Sequence, residues 1–149
     1  MPCKRSIRVN DRDIRLMVTV GEYGVLDRTL CHILCFANSS AEWCRQVLAR
    51  LTSAGLIQAT TLQVWYDDGT SRGGRIPTLY SLTRAGAEVV HLRIGKYPPR
   101  VLRSEPSPAS FWHRLQVVQI RVAFEKAAAL QDLPPMSWIH ESDLVLNQA

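Results

Sequence analysis

The sequence SSAEWCRQVLARLTSAGLI, from Ser39 to Ile57, carries a start signal, an apolar stripe and a stop signal for one helix. Ser39 and Glu42 have the spacing of a capping box, in which the hydroxyl and the carboxylate bind backbone amides at a helix start. Gly55 supplies the C-terminal stop. The apolar positions between these signals recur at i, i+3, i+4 and i+7: Cys44, Val47, Leu48 and Leu51. We therefore predict an amphipathic helix whose stripe faces a core.

The remaining faces of this helix carry side chains of the kinds that read DNA. Two guanidinium groups and an amide occur there with a large aromatic near the helix start. Guanidinium and amide groups bind base edges and phosphates, while the indole suits a backbone sugar, a thymine methyl or a protein partner. The residues predicted to contact DNA from this helix are Ser40, Glu42, Trp43, Arg45, Gln46 and Arg50.

The segments after this helix have the order of a β-hairpin wing. A β-rich run from Leu56 to Tyr66 precedes a polar, glycine-rich tip from Asp67 to Arg75, and Thr78–Leu82 returns as a second strand. Arg72 and Arg75 flank two glycines of the tip, so we predict that they contact phosphates or a narrow minor groove. A helix followed by a basic hairpin predicts a mainly α fold with a small β wing (α+β).

Two motifs in this region resemble the winged helix-turn-helix superfamily. They are Leu48-x-x-Leu51-x-x-x-Gly55-Leu56-Ile57 and Tyr80-x-Leu82-Thr83-x-x-Gly86. Within the superfamily the chain resembles the replication-relaxation family of bacterial plasmids and other mobile elements, well from Asp11 to Ile94 and loosely beyond. The resemblance implies sequence-specific binding of double-stranded DNA, as a transcription regulator or as an accessory factor that marks a site for replication or transfer machinery.

The N-terminal sequence indicates a basic arm followed by a first helix. Residues 1–10 form the arm, which is either a solvated tail or a segment that adds phosphate contacts. Asn10 or Asp11 caps the helix, and Tyr23-Gly24 marks its exit. Its inward positions are Ile14, Met17 and Val18, and its outer side carries Arg12 and Arg15.

A second helix completes the predicted helix-turn-helix. Asp27 has the position of its cap, and the turn Ala37-Asn38 ends it. Its apolar residues are Leu30, Ile33, Leu34 and Phe36. The helix that follows Ser39 is then the recognition helix, which enters the major groove. His32 is expected to cap or hydrogen-bond within the fold rather than to bind a ligand.

A further helix and a connector close the winged domain, for which we predict residues 11–95. Thr83 caps the helix Arg84–Arg93, which places Ala87, Val90 and either Ile94 or Leu92 against the core. Residues 96–108 contain Pro98, Pro99, Pro106 and Pro108. A segment so rich in proline cannot form a long helix, so we predict an extended connector.

The last segment, residues 109–149, predicts a long helix and a short β tail. Ser107-Pro108 caps the helix Ala109–Leu130, which has two apolar stripes. The first contains Phe111, Leu115, Val118 and Val122, and the second contains Val117, Ile120, Phe124 and Ala127 or Ala128. Two stripes need two partners. Either one stripe packs on the winged domain and the other on the same helix of a second subunit, or both pack on a folded C-terminal piece. The predicted dimerisation residues are Phe111, Leu115, Val117, Ile120 and Phe124.

The tail predicts one or two strands, at Trp138–Glu141 and Leu144–Leu146. In the family that the chain resembles, the comparable segment leads into a further α/β region. The chain is therefore expected to be a short member of the family or a fragment, whose missing region carries any further activity.

The composition indicates which kind of partner the protein binds and in which compartment it is found. A formal net charge of +5 favours an acidic partner, and nucleic acid is the usual one for a small basic protein. No apolar run approaches the roughly 18 residues that cross a bilayer, so we expect a cytoplasmic protein without a membrane partner. Four cysteines suit that compartment as small hydrophobes. The alternative is a zinc site of Cys31, His32, Cys35 and Cys44, which lacks the usual CxxC spacing.

The sequence does not predict an enzyme, a metal site or a cofactor. Its histidines are dispersed, and it contains no phosphate-binding loop, HExxH motif or nucleophile elbow. Glu141 and Asp143 would need further ligands to form a magnesium-dependent nuclease site. Two functions remain, a double-stranded DNA binder and a winged-helix module for protein assembly. The basic outer face of the Ser39 helix favours DNA, because an assembly surface usually exposes more aliphatic area.

Overall fold

Five helices and a small antiparallel sheet form the chain, in a computed structural model that describes residues 7–61, 63–65, 72–75, 77–102 and 107–140. The order is α1 (Asp11–Tyr23), β1 (Leu26–Asp27), α2 (Arg28–Cys35), α3 (Ala41–Ser53), β2 (Ile57–Thr60), β3 (Gln63–Trp65), β4 (Arg72–Arg75), β5 (Leu79–Leu82), α4 (Arg84–Ile94) and α5 (Pro108–Leu130). The predicted mainly α class with a β wing is confirmed. The chain divides into two compact units, Met1–Val118 and Gln119–Ala149. The first unit therefore extends past residue 95, the predicted end of the winged domain.

Strand β5 is the centre of a three-stranded antiparallel sheet in the first unit. It pairs with β1 on one side and with β2 on the other. Leu79 lies opposite Asp27 in β1 and opposite Thr60 in β2, so one buried residue fixes both registers. The sequence prediction missed β1, because a strand of two residues is too short to display alternation.

The wing is a separate two-stranded hairpin, β3–β4, with Gln63 opposite Arg75 and Trp65 opposite Arg72. The run Leu56–Tyr66 is therefore divided between two strands. The prediction that Arg72–Arg75 belong to the tip is wrong, since these residues form β4. The remainder of the predicted tip lies outside the described residues.

Most helix starts are set by the predicted side chains. Asn10 and Asp13 form a reciprocal capping box on α1, with both hydrogen bonds at 3.0 Å. The Asp27 carboxylate accepts from Leu30 N at 2.7 Å at the start of α2. Thr83 caps α4 by accepting from the backbone N–H of Gly86 at 3.1 Å. Short side chains next to the first turn therefore fix where these helices begin.

Helix α3 begins one residue later than predicted. Ser40 is its cap, and its hydroxyl accepts from Trp43 N at 3.2 Å. Ser39 has a different role, because His32 Nε2 donates to its carbonyl oxygen at 2.7 Å. The expectation that His32 bonds within the fold is confirmed, whereas the Ser39–Glu42 capping box is wrong.

The core of the first unit is built from the inward stripes of the helices and from the sheet. The predicted stripe of α3 is buried, and Leu16, Met17 and Val20 of α1 lie in the same core with Leu79 and Leu82 of β5. Val18, which was predicted to face inward, is half-buried. On α4, Ala87 and Val90 are buried as predicted, but Leu92 and Ile94 are both exposed.

The two family-like motifs meet at the end of α3. Thr83 Oγ1 donates toward the carbonyl oxygens of Gly55 and Leu56, at 2.7 and 2.9 Å. A Cβ at Gly86 would overlap the Leu56 carbonyl oxygen, so only glycine permits this approach of α4. The contact fixes the C-terminal end of α3 against α4.

The connector packs on the first unit in an extended conformation. Pro98 is buried beside Gly21 of α1. The backbone N–H of Arg100 donates to the Gly21 carbonyl oxygen at 2.8 Å, and that of Leu102 donates to Leu82 at 2.9 Å. Residues 97–102 are therefore non-helical, as the prolines predict, and they bridge α1 and β5.

Within the second unit, the tail returns along the end of α5 without forming a strand. Trp138 contacts Phe124 edge-on at 6.4 Å between ring centroids, and the Arg121 guanidinium lies 5.7 Å from the Trp138 ring. The strand predicted at Trp138 is absent from residues 138–140. The second predicted strand, at Leu144–Leu146, lies outside the described residues, as do Glu141 and Asp143.

Within the described part of the chain, none of the helices combines the length and the apolar character that crossing a membrane requires.

Candidate nucleic-acid interface

The outward face of α3 presents four of its predicted DNA contacts together. Glu42, Trp43, Arg45 and Gln46 are all exposed, while the opposite stripe is buried. Ser40 stands at the helix start, where it caps the first turn. One turn of one helix therefore carries a cation, an anion, an amide and an indole.

Glu42 joins the two candidate base-reading side chains. Its carboxylate accepts from Arg45 Nε at 2.9 Å and from Arg45 NH2 at 2.5 Å, while Gln46 Nε2 donates to it at 3.2 Å. The spacings of three and four residues are those at which helix side chains meet. The three side chains therefore form one exposed hydrogen-bonded cluster, here called the Glu42 cluster.

The charge state of the Glu42 cluster is constant near neutral pH. Hydrogen bonds from Arg45 and then from Gln46 lower the pKa of Glu42 from 4.5 to about 2. Because the folded-state pKa is depressed, the contribution of the pair to stability is complete above the unfolded value of 4.5. It is lost only as the pH falls toward 2. Near neutrality the cluster carries one positive and one negative charge, with the amide beside them.

Arg50 does not belong to the exposed face. Its guanidinium pairs with the fully buried carboxylate of Asp13 and also donates to the Arg8 carbonyl oxygen at 3.3 Å. These contacts tie the C-terminal half of α3 to α1 and to the segment before it. Arg50 was predicted to contact DNA, and in this structure it forms an internal ion pair.

The two residues of the wing that were predicted to contact DNA lie on one strand. Arg72 and Arg75 are the first and last residues of β4, so they stand at the two ends of a paired strand. They therefore belong to a hairpin whose backbone is hydrogen-bonded rather than to an unpaired loop.

The helix-turn-helix contains three free cysteines, of which two are fully buried. Cys31 and Cys44 are fully buried, and Cys35 is half-buried. Burial, and then the neighbouring thiol of Cys35, raise the pKa of Cys44 to about 11. Burial likewise raises the pKa of Cys31. Zinc binds the thiolate, whereas these environments favour the thiol. Among the residues that the structure describes, no three His, Cys, Asp or Glu side chains are arranged to hold a metal ion.

Sequence comparison assigns the chain to a family. The replication-relaxation family matches residues 19–145. The chain belongs to the replication-relaxation family. The match continues well past Ile94, the residue up to which the sequence motifs resemble the family well. It therefore includes the connector and α5. Membership, together with the winged-helix architecture, supports a DNA-binding regulatory role.

Solved structures of low sequence identity are similar to this replication-relaxation chain. NadR in complex with 4-hydroxyphenylacetate is 20% identical over 83% of this chain and 70% of its own, with a TM-score of 0.39. An E41A mutant of Lactococcus lactis ZitR is 10% identical over 99% and 75%, with a TM-score of 0.41. RV1404 from Mycobacterium tuberculosis is 17% identical over 87% and 78%, also with a TM-score of 0.41. None of the curated proteins compared with the chain matches it.

Proposed function

We propose that this replication-relaxation protein binds double-stranded DNA sequence-specifically, with α3 in the major groove and the β3–β4 wing on the backbone or in the minor groove. It acts without catalysis or a cofactor, in the cytoplasm. Its role is that of a transcription regulator, or of an accessory factor for the replication or transfer machinery of a plasmid or another mobile element.

The observation that carries this proposal is the Glu42 cluster. A guanidinium and an amide are the groups that recognise guanine and adenine by paired hydrogen bonds. Here Glu42 holds both of them on the exposed face, within the first turns of the helix. Side chains already held near each other lose less freedom when they bind, which favours base reading over loose phosphate contact.

Homodimerisation is the second part of the proposal, and the second stripe of α5 supports it. Val117, Ile120 and Phe124 follow the i, i+3, i+7 spacing and are 46%, 56% and 55% exposed. A contiguous exposed apolar surface marks an interaction site in a small protein. Phe111 and Leu115, which were also predicted to dimerise, are buried in the first unit and are removed from this surface. Two copies paired through α5 would present two recognition helices related by a two-fold axis.

Selection of bound duplexes from a randomised pool tests the proposed function. We expect an inverted repeat whose half-sites are separated by about 34–36 Å, or a multiple of that distance. A single unrepeated site would contradict the dimer. Recovery of no consensus would contradict sequence-specific binding itself.

Replacing the base-reading side chains should relax specificity. Arg45→Ala or Gln46→Ala is expected to reduce discrimination at defined base pairs by about 1–3 kcal/mol, because each removes one pair of hydrogen bonds to a base. Binding to random duplexes should change little. The measurement is the affinity for the selected site and for each single-base variant of it.

Two further variants sharpen this test. Glu42→Gln removes the anion of the Glu42 cluster, so affinity for random duplexes should rise while discrimination falls. Arg114→Ala removes an exposed arginine of α5 and should leave the specificity profile unchanged. If Arg45→Ala and Gln46→Ala weaken selected and random duplexes equally, both side chains bind phosphates and the proposed docking is wrong.

Replacing the wing arginines should weaken binding to every duplex. Arg72→Ala with Arg75→Ala removes two cations from β4, so the slope of log affinity against log salt should fall by about 0.9 for each phosphate that the protein no longer neutralises. Affinity titrations at several salt concentrations measure the slope. An unchanged slope would mean that the wing does not touch DNA.

A further inference from the structure

A polar cleft of about 220 Å³ lies beside the turn that joins α2 to α3. Arg12 and Arg15 of α1 form one wall. The end of α2 and the turn, residues 34–39, form the other. A water molecule occupies about 30 Å³ of liquid, so the cleft has room for a phosphate group and part of its hydration shell.

The two guanidinium groups of the cleft are not neutralised. Arg12 and Arg15 are exposed, and within the described residues neither forms an ion pair. The two acidic side chains nearest to them in sequence, Asp11 and Asp13, are directed to other partners. Asp11 accepts from Arg93 at 2.7 Å, and Asp13 is paired with α3. Because residues three apart on a helix are neighbours, the two positive charges reinforce each other at one site.

The turn that faces these arginines is fixed and leads directly into the recognition helix. The backbone N–H of Ser39 donates to the Phe36 carbonyl oxygen at 2.8 Å, and His32 binds the Ser39 carbonyl oxygen. Ser40 then caps α3. The cleft therefore lies next to the N-terminal end of α3, the end that contacts base edges in helix-turn-helix proteins while a neighbouring helix crosses the DNA backbone.

We propose that Arg12 and Arg15 bind a backbone phosphate of DNA in this cleft, so that α1 contacts the duplex in addition to α3 and the wing. The inference rests on the proposed DNA-binding function. Guanidinium groups suit phosphate because their planar donors match its oxygens. Such a contact carries no base information and fixes the register of α3 on the duplex. Both arginines precede residue 19, where the family match begins.

The test is a double variant, Arg12→Ala with Arg15→Ala, measured on the selected duplex and on a random one. We expect the salt slope to fall by about 0.9, because the variant neutralises one phosphate fewer. Affinity for both duplexes should fall by the same factor, so their ratio stays constant. Ethylation of one backbone phosphate should impair binding of the wild type and have no effect on the variant.

Two matched variants separate charge at the cleft from charge in general. Arg12→Lys with Arg15→Lys keeps both cations and should restore the salt slope. Arg84→Ala with Arg114→Ala removes two exposed arginines outside the cleft and should leave the slope and the ethylation pattern unchanged. A slope that is equally reduced by this control would contradict a specific contact at the cleft.

A titration with inorganic phosphate distinguishes the DNA backbone from a free anion. In the absence of DNA, the Nε–H resonances of Arg12 and Arg15 should shift only weakly. A different outcome is that these resonances shift strongly with added phosphate and reach a plateau, while the alanine variant keeps the wild-type salt slope and ethylation pattern. In that case the cleft binds a small anion, and the proposed DNA contact is wrong. A wild type that binds no duplex contradicts the proposed function. A wild type that binds its site while the variant keeps the full slope contradicts this inference alone.

Discussion

Ile120→Glu together with Phe124→Lys is expected to produce a monomer that keeps a folded first unit and loses high-affinity binding to an inverted repeat. Both side chains are more than half exposed, so charge at these positions does not disturb a buried core. In the proposed dimer the same positions lie at the contact between copies, where the cost of taking charged side chains out of water opposes association. Because the two half-sites would no longer share one binding event, affinity for the full site should fall by about 10²–10⁴-fold.

Sedimentation at micromolar concentration, with and without the selected duplex, measures this effect. Gln119→Glu with Ala123→Lys is the matched control, because it places the same charges at exposed positions of α5 outside the second stripe. The control should remain dimeric. A wild type that sediments as a monomer and binds with one copy per duplex would contradict the proposed homodimer.

Arg50→Ala is expected to destabilise the first unit by about 3 kcal/mol. The Asp13 carboxylate is fully buried, and Arg50 is its ion-pair partner from α3. Removing one partner of a buried pair costs about 3–5 kcal/mol, since the other charge is left in a low-dielectric environment. The lower end applies because the Arg50 side chain is 38% exposed.

Urea denaturation followed by circular dichroism measures the loss of stability. The urea concentration at the unfolding midpoint should fall, while the dependence of the unfolding free energy on urea stays constant. Arg45→Ala is the control, because its pair with Glu42 is solvent-exposed and should contribute little to stability. If Arg50→Ala keeps wild-type stability and loses DNA affinity, Arg50 contacts DNA, as the sequence analysis predicted.

The helix starts could be predicted because their signals are local. Asn10, Asp27 and Thr83 each bind the amide three residues ahead, and that spacing can be recognised in the sequence. The start of α3 could not be assigned in the same way, because Ser39 and Ser40 are both capable caps. The choice depends on His32, which binds the carbonyl oxygen of Ser39 from the preceding helix.

The exposed face of α3 could also be predicted, because it lies opposite the apolar stripe, whose spacing is visible in the sequence. The partners of its charged residues could not be predicted in this way. Glu42 can either return to the helix start or reach forward to residues three and four positions ahead, and it does the second. Arg50 and Asp13 are 37 residues apart, so nothing in the local pattern connects them. Long-range pairing therefore decides which cations remain available for DNA.

The wing shows the limit of composition as a guide. Two glycines between Arg72 and Arg75 predict a loop, because glycine tolerates turn conformations. Pairing with β3 overrides that preference and makes the segment a strand. The same tertiary effect produces β1, whose two residues form a strand only because β5 lies beside them.

The most direct test of sequence-specific recognition by α3 is the ratio of two dissociation constants, for the selected duplex and for a scrambled duplex of equal length, measured with the wild type at one salt concentration. Sequence-specific proteins bind their sites about 10³–10⁷-fold more tightly than random DNA. We predict a ratio within that range, which falls about 5- to 150-fold in Arg45→Ala or Gln46→Ala because each loses roughly 1–3 kcal/mol of discrimination. A wild-type ratio near one would contradict the account.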